Sequence, residues 1–248
     1  MLVFNRGSAS PKSNTMRHKN NYTAEEIADK IIRFSLSRSR RFIFISGNGG
    51  AGKTELSTML SQRAQQHGHT NIIDMDDFVV DTALRSSATV TWNDPEKGPQ
   101  SGRYTTAFPA AYFLPSVKAI LYNIEKGSNY YHWPKKASNG ADCRLLHGDA
   151  IVTIIDGSGT VFLNRNPTNS LSIFMQCNKE LEIARRIARK RFSNEQDAGE
   201  VRKQFAERTS QYKVMIHPHI TEYALVLESM ADYSINVSRD DVGISDSL

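Results

Sequence analysis

Residues 47–54 read Gly47-Asn48-Gly49-Gly50-Ala51-Gly52-Lys53-Thr54, which is a glycine, four variable positions and then Gly-Lys-Thr. This spacing is typical of a loop that binds the phosphates of a nucleotide. Its glycines let the backbone curl around the phosphates and turn successive N–H groups inward at the start of a helix. Lys53 supplies a mobile positive charge for the outer phosphates, and the Thr54 hydroxyl is a hard oxygen ligand for Mg²⁺. The sequence therefore predicts that all eight residues bind a nucleotide.

The segments on either side of this loop support that prediction. Before it, Arg41-Phe42-Ile43-Phe44-Ile45-Ser46 is a short apolar run with aromatic and β-branched residues, as expected for a strand buried in a parallel sheet. After it, apolar residues recur at helical spacing until Gly68, which is a signal for a helix end. Strand, loop and helix thus follow in the order that a phosphate-binding loop requires.

Length and composition indicate one globular domain with a sizeable core. The chain has 248 residues, of which 39% are hydrophobic and 23% charged, and no apolar run approaches the ~20 residues needed to cross a bilayer. Residues 1–21 are polar and basic and lack the apolar segment of a signal peptide. Two cysteines far apart in sequence fit a reducing compartment and no disulfide framework. We therefore expect a cytoplasmic protein without a membrane partner.

The net charge of +5 and the pI near 9.2 raise the alternative of a nucleic-acid-binding ATPase. Much of the excess lies in the N-terminal tail and in residues 38–41 and 185–191. An enzyme that handles polyphosphate needs local positive charge for that reason alone. We therefore expect no nucleic-acid partner, and binding to DNA or RNA with a steep salt dependence would contradict this.

Strands and helices alternate along the rest of the chain. Thr23 and Glu26 form a capping box that begins a helix, and residues 79–104 are expected to be loop. Further strands are predicted at 71–78, 150–155, 171–175 and 231–237, and further helices at 111–126, 179–192, 199–214 and 220–230. This alternation predicts an α/β fold with a doubly wound, mainly parallel sheet and helices on both faces. The expected boundaries are a flexible basic tail at 1–21, one domain at 22–238 and a flexible tail at 239–248.

Acidic residues follow two of these strands. Asp74, Asp76 and Asp77 lie at the end of the second predicted strand, and Asp156 follows a later one. In an open parallel sheet, ligands bind beyond the carboxyl ends of the strands. The acids are therefore expected near the phosphates of the nucleotide.

In this order the motifs resemble those of the uridine kinase-like P-loop kinases, the group of phosphoribulokinase, pantothenate kinase and nicotinamide riboside kinase. The resemblance runs from about Thr23 to Val237 and implies a P-loop NTPase fold with a helical lid at about residues 185–202. It implies an enzyme that uses ATP and Mg²⁺ to phosphorylate a hydroxyl of a small molecule, such as uridine, another nucleoside or a related metabolite. A homo-oligomer is compatible with the sequence.

The resemblance also implies roles for single residues. Asp76-Asp77-Phe78 matches the family's Asp-x-Phe motif, which implies that Asp76 accepts the proton of the acceptor hydroxyl close to the metal. Asp156 stands where the family usually has Glu, and its implied place is beside Mg²⁺ with Thr54. The lid motif Arg-Arg-x-x-Arg implies that charge at the transferred phosphoryl group is neutralised by Arg185, Arg186 and Arg189, together with Lys53.

The acceptor side is implied by residues that match the family less closely. Trp92-Asn93-Asp94-Pro95 is similar to a Trp-Asp-x-Pro segment, whereas His132-Trp133-Pro134 replaces the family's Pro-x-Tyr-Asp. The rings of Trp92 and Trp133 fit either the core or the wall of an acceptor pocket. The expected acceptor-side residues are Asp77, Phe78, Trp92, Asp94, Trp133 and Arg185.

Two other readings stay open. Asp156-Gly157-Ser158-Gly159 fits Asp-x-x-Gly, and Asn178-Lys179-Glu180-Leu181 nearly fits Asn-Lys-x-Asp, so a GTPase or ATPase switch is an alternative. Leu181 replaces the carboxylate that would read guanine, which counts against this alternative. Within the kinases, an antibiotic or other non-nucleoside acceptor is the second reading, as in chloramphenicol phosphotransferase or zeta-like enzymes that share this core.

Overall fold

The computed structural model describes residues 21–135, 143–190 and 195–245. Its strands are β1 (Asn21–Tyr22), β2 (Phe42–Gly47), β3 (Thr70–Asp74), β4 (Thr89–Asp94), β5 (Gly98–Arg103), β6 (Tyr130–His132), β7 (Arg144–Leu146), β8 (Val152–Asp156), β9 (Ser170–Gln176), β10 (Leu225–Ser229) and β11 (Ile235–Asp240). Its α-helices are α1 (Ala24–Ser37), α2 (Lys53–Ala64), α3 (Thr82–Ser87), α4 (Leu114–Glu125), α5 (Lys179–Lys190) and α6 (Glu195–Met215).

The central sheet has seven strands in the order β1-β11-β10-β9-β2-β8-β3. The five strands from β10 to β3 are parallel, β11 pairs antiparallel with β10, and β1 pairs antiparallel with β11 at the edge of the sheet. The crossovers along the sheet confirm the predicted doubly wound, mainly parallel α/β fold. The hairpin β4–β5 and the pair β6–β7 form two small separate sheets.

Strand β2 shows how the core is divided between the two faces of the sheet. Successive side chains of a strand point to opposite faces. Ile43 and Ile45 pack with α1 and α2, whereas Phe42 and Phe44 pack in a second cluster with α4. A third cluster, which includes Phe174, joins the sheet to α6. Helices therefore cover both faces, as predicted, and none of the described helices is long and apolar enough to cross a membrane.

Helix α1 begins with the predicted capping box. The Glu26 N–H donates to Thr23 Oγ1 at 3.1 Å, and the Thr23 N–H donates to Glu26 Oε2 at 2.8 Å. These two bonds satisfy N–H groups that have no partner inside the helix.

The expectation of loop at residues 79–104 is wrong, because this segment contains α3 and the hairpin β4–β5. The Asp94 carboxylate accepts the N–H groups of Glu96 at 2.9 Å and Lys97 at 3.1 Å and so fixes the turn. Most side chains of the hairpin are exposed or half-buried, so the strands carry little of the apolar pattern that marks a core strand.

The helix predicted at residues 220–230 is also wrong. A 3₁₀ turn at His217–Glu222 leads into strand β10, where Leu225 and Leu227 are buried between β9 and β11. A short apolar run such as residues 225–229 fits either a strand or a buried helix. Here the run is a strand, because it pairs with β9. The last strand occupies Ile235–Asp240 rather than residues 231–237.

Three other predicted boundaries shift. The second predicted strand, 71–78, ends at Asp74, and Met75–Phe78 form a 3₁₀ turn. The tail expected at 239–248 begins later, because Asp240 still belongs to β11 and Ile244 is buried in the core. Asn21, placed in the N-terminal tail, pairs with β11. Residues 1–20 and 246–248 lie outside the described residues.

Candidate active site

The loop at residues 47–54 joins β2 to α2 at the carboxyl edge of the sheet. Gly50 and Gly52 have φ values of 72° and 88°, which are left-handed conformations that glycine adopts without strain. Gly47 has a φ of 132°, and a Cβ there would collide with the carbonyl oxygen of Met175 on β9. Glycine is therefore required where the loop curls and passes the neighbouring strand.

Lys53 folds back over this loop. Its Nζ donates to the carbonyl oxygens of Asn48 at 2.7 Å and Gly47 at 3.2 Å. The ammonium group therefore lies within the loop itself, which is the position from which it can reach the outer phosphates of a nucleotide.

Thr54 and Asp156 meet next to Lys53. Thr54 Oγ1 donates to Asp156 Oδ2 at 2.9 Å, and Asp156 is only 4% exposed. Within the described part of the chain, its second oxygen, Oδ1, is buried without a hydrogen-bond partner. Burial is the main cause that raises the pKa of Asp156 to about 6, although Lys53 and Thr54 oppose it. A buried carboxylate with a spare oxygen beside a hydroxyl fits a hard cation such as Mg²⁺.

Asp74 and Asp76 lie beside this pair, because β3 and β8 are neighbours and Asp74 is in register with Asp156. Asp74 Oδ1 accepts the Asp76 N–H at 2.8 Å, so Asp74 caps the 3₁₀ turn that carries Asp76. The negative charges of both residues contribute to raising the pKa of Asp156. Asp76 thus lies in the 3₁₀ turn, two residues beyond the end of β3, and is near enough to Asp156 to affect its pKa.

Asp77 and Phe78 hold the segment that follows β6. Asp77 Oδ2 lies 3.1 Å from His132 Nε2, and its Oδ1 accepts the Lys135 N–H at 3.1 Å. The His132 ring stacks on Phe78 with 5.0 Å between centroids. Trp133 is 62% exposed, so it does not belong to the core, which was one of the two positions that its sequence allowed.

Trp92 and Asp94 connect the hairpin β4–β5 to α6. Trp92 Nε1 donates to Ser210 Oγ at 2.8 Å, and Ser210 Oγ donates to the Asp94 carboxylate. This bond to Ser210 is the main cause that lowers the pKa of Asp94. Both predicted acceptor-side residues therefore hold the hairpin in place.

The arginines of α5 contact the phosphate-binding loop. Arg185 donates to the carbonyl oxygen of Gly50 at 2.8 Å and to Ser229 Oγ at 2.8 Å. Arg186 forms an ion pair with Glu182 at 2.6 Å, and its guanidinium lies where a Cβ on Gly49 would be. Arg189 lies on α5, but its side chain is outside the described residues, as are residues 191–194 of the predicted lid.

The sequence did not reveal that the buried Tyr212, a partner of the half-buried Arg208, lies near enough to Lys53 to interact with it electrostatically. Arg208 of α6 donates to the Tyr212 hydroxyl at 3.0 Å. Burial alone would raise the pKa of Tyr212, but the positive charges of Arg208 and Lys53 outweigh it and lower that pKa. Burial raises the pKa of Tyr112, whose hydroxyl lies 3.1 Å from Ser158 Oγ.

No pattern marked this group in advance. Arg208 and Tyr212 are one turn apart on α6, but neither belongs to a motif with a defined spacing. Only the fold brings α6 to the edge where Lys53 lies.

The segment that nearly fits the guanine-reading motif has a different role here. Asn178 Oδ1 accepts the Leu181 N–H at 2.8 Å and so caps the first turn of α5. This hydrogen bond explains the asparagine without a guanine base.

Comparison with known proteins bears on the fold that carries this site. Residues 25–87 match the model of the zeta toxin family. The chain is similar to the phosphoribulokinase from Rhodobacter spheroides, with 14% identity over 77% of this chain and 70% of that chain and a TM-score of 0.54. It is also similar to D-glycerate 3-kinase from Cryptococcus neoformans var. grubii, with 11% identity over 82% of this chain and 94% of that chain and a TM-score of 0.52. A search of curated proteins gave no match.

At these identities the likeness to solved structures shows the fold. The chain has the α/β fold of these solved structures, and residues 47–54, which the sequence predicts to bind phosphate, lie at the carboxyl ends of its parallel strands.

Proposed function

We propose that the protein is an ATP-dependent kinase that transfers the γ-phosphate to a hydroxyl of a small molecule. The observation that carries this proposal is the buried Asp156 carboxylate, which bonds the exposed Thr54 hydroxyl beside Lys53 and, among the described residues, leaves one oxygen unpartnered. A buried acid of this kind is costly unless a cation is to be held there.

Each residue of the site has a task in this reaction. Thr54 and Asp156 would hold Mg²⁺, which supplies positive charge to the phosphate oxygens when bound. Lys53 stabilises the charge that develops on the transferred group, and Asp76 accepts the proton of the attacking hydroxyl. Arg186 supplies a further guanidinium on α5 once it exchanges Glu182 for a phosphate oxygen.

The acceptor that we propose is a nucleoside such as uridine, or a related metabolite. The test is a transfer assay with ATP labelled in the γ-phosphate over nucleosides, pantothenate, sugar phosphates, glycerate and aminoglycosides. We expect a labelled product with one hydroxyl acceptor.

The same assay tests the catalytic base. Asp76→Asn keeps the size of the side chain but removes the basic site, so it should lower kcat by about a hundredfold or more with little change in ATP affinity. Asp74→Asn is the matched control, since Asp74 caps the turn, and Asp77→Asn is a second control. If all three variants behave alike, Asp76 is not the base, and if nothing accepts phosphate, the kinase proposal fails.

A toxin-like kinase is the second candidate, and the match of residues 25–87 to the zeta toxin model favours it. Its test is growth after induced expression of the wild type and of Lys53→Ala. Growth arrest by the wild type alone would support this candidate, and normal growth with both would count against it.

A further inference from the structure

Two histidines and an aspartate meet at the amino ends of two parallel strands, on the opposite side of the sheet from the phosphate-binding loop. His69 immediately precedes β3, and His147 and Asp149 lie in the turn between β7 and β8. These segments are at the amino ends of two parallel strands, whereas the phosphate-binding loop is at the carboxyl end of β2. The cluster is therefore separate from the candidate active site.

The side chains of this cluster converge on a small volume. His69 Nδ1 lies 3.0 Å from Asp149 Oδ1, and His147 Nδ1 lies 3.9 Å from the same oxygen. Nitrogen and oxygen atoms of the three side chains all lie within 4.8 Å of one another. The two imidazole rings are stacked, with 3.9 Å between centroids and 26° between planes.

These separations are close to those of a metal centre. Tetrahedral zinc binds His nitrogen and carboxylate oxygen at about 2.0–2.2 Å, which places neighbouring ligand atoms roughly 3.3–3.6 Å apart. The separations here are at most 4.8 Å, and rotation of the exposed His69 and Asp149 side chains can bring the ligand atoms to the distances of a metal centre. The solvent-facing side stays open for water as a further ligand.

Hydrogen bonds of the backbone hold the cluster in place. Asn71 is buried, and its side chain donates to the His147 carbonyl at 2.9 Å and accepts the His147 N–H at 2.8 Å. The Ile151 N–H donates to the His69 carbonyl at 2.9 Å, and Arg41 Nε donates to the Ala150 carbonyl at 2.9 Å. Ligands on such a fixed frame lose little freedom when they bind an ion.

We propose that His69, His147 and Asp149 form a binding site for a divalent transition-metal ion of the zinc class. Imidazole nitrogen suits zinc, copper and nickel, whereas Mg²⁺ and Ca²⁺ select oxygen ligands. The site is thus chemically distinct from the Mg²⁺ position at Thr54 and Asp156, and it does not depend on the proposed kinase activity.

The test is calorimetric titration of the nucleotide-free full chain with Zn²⁺ in the presence of excess Mg²⁺, which occupies the oxygen-ligand site. We expect one ion per chain. His69→Gln, His147→Gln and Asp149→Asn should each weaken binding by at least about tenfold, because even loss of an outer partner of a metal ligand costs about 10–100-fold. His67→Gln is the matched control, since His67 is exposed two residues from His69 and outside the cluster.

A second measurement uses Co²⁺, whose d–d absorption shifts and intensifies when protein ligands replace water. The wild type and His67→Gln should show the same change in the d–d bands, and His69→Gln should show only the weak bands of hydrated Co²⁺. Circular dichroism of each variant shows whether it is folded, and His69 and Asp149 are exposed, so these variants should fold. Wild-type binding that is absent, or that is unchanged in His69→Gln and Asp149→Asn, would overturn the proposal.

Discussion

The buried environment of Asp156 disfavours the charged form of its carboxyl group. Burial raises its pKa to about 6, from an ordinary value of 3.8. The folded protein therefore binds a proton at Asp156 more tightly than the unfolded chain does. This difference contributes fully to the free energy of unfolding below about pH 4, and the contribution is lost as the pH rises to about 6.

The prediction is that Asp156→Asn removes this dependence. In the presence of a chelator, the free energy of unfolding of the variant, relative to that of the wild type, should rise by on the order of 2–3 kcal/mol from about pH 4 to about pH 7. One pKa unit corresponds to about 1.4 kcal/mol. The measurement is urea unfolding of both proteins at the two pH values. Parallel profiles would mean that the carboxylate is satisfied without a cation.

Gly47 is a second residue whose local geometry predicts the effect of a substitution on stability. Gly47→Ala should destabilise the protein by at least about 2 kcal/mol, because alanine is strained at a φ of 132° and its Cβ meets the Met175 carbonyl. Gly199→Ala is the control, since a Cβ there meets nothing within 4 Å and Gly199 lies inside α6. The control should be neutral or gain about 0.5–1 kcal/mol in denaturant unfolding. Equal effects would contradict the close approach.

At the scale of elements, one hydroxyl joins the hairpin β4–β5 to α6. Ser210→Ala should cost about 1–3 kcal/mol, because it removes the hydrogen-bond partner of Asp94 Oδ2 and of the Trp92 N–H. Thr209→Ala is the control, since among the described residues Thr209 Oγ1 bonds within α6, to the Phe205 carbonyl at 2.8 Å, and it should cost less than about 1 kcal/mol. Thermal unfolding of both variants measures the difference. A Ser210→Ala variant as stable as Thr209→Ala would mean that the hairpin is held by other contacts.

The elements also show why the sequence predicted some of the structure and not the rest. The strand–loop–helix unit of β2 and α2 carries its own pattern, since the glycines and the apolar period are local. Strand β10 does not, because Leu225–Ser229 become a strand only by pairing with β9 and β11. The Arg208 and Tyr212 pair depends in the same way on where α6 packs, so residue spacing alone could not identify it.

At the scale of the whole molecule, the two edges of the sheet carry different chemistry. The carboxyl edge collects Lys53, Thr54, Asp76 and Asp156 from three neighbouring parallel strands. The amino edge collects the His69, His147 and Asp149 cluster. Because the same strands connect both edges, binding at either edge stabilises the same folded domain and is measurable through its unfolding.

Nucleotide binding should therefore appear as stabilisation of the whole domain, whatever the acceptor is. A ligand at a hundred times its Kd adds about 2.7 kcal/mol, which for a chain of this size raises Tm by roughly 5–10 °C. We expect this shift with ATP and Mg²⁺ for the wild type, a near-complete loss for Lys53→Ala and a loss of the Mg²⁺-dependent part for Thr54→Val. Lys118→Ala, which removes an exposed lysine of α4, should keep the full shift. Scanning calorimetry at one fixed ATP concentration measures all four proteins, and an equal shift in Lys53→Ala would place the nucleotide away from residues 47–54.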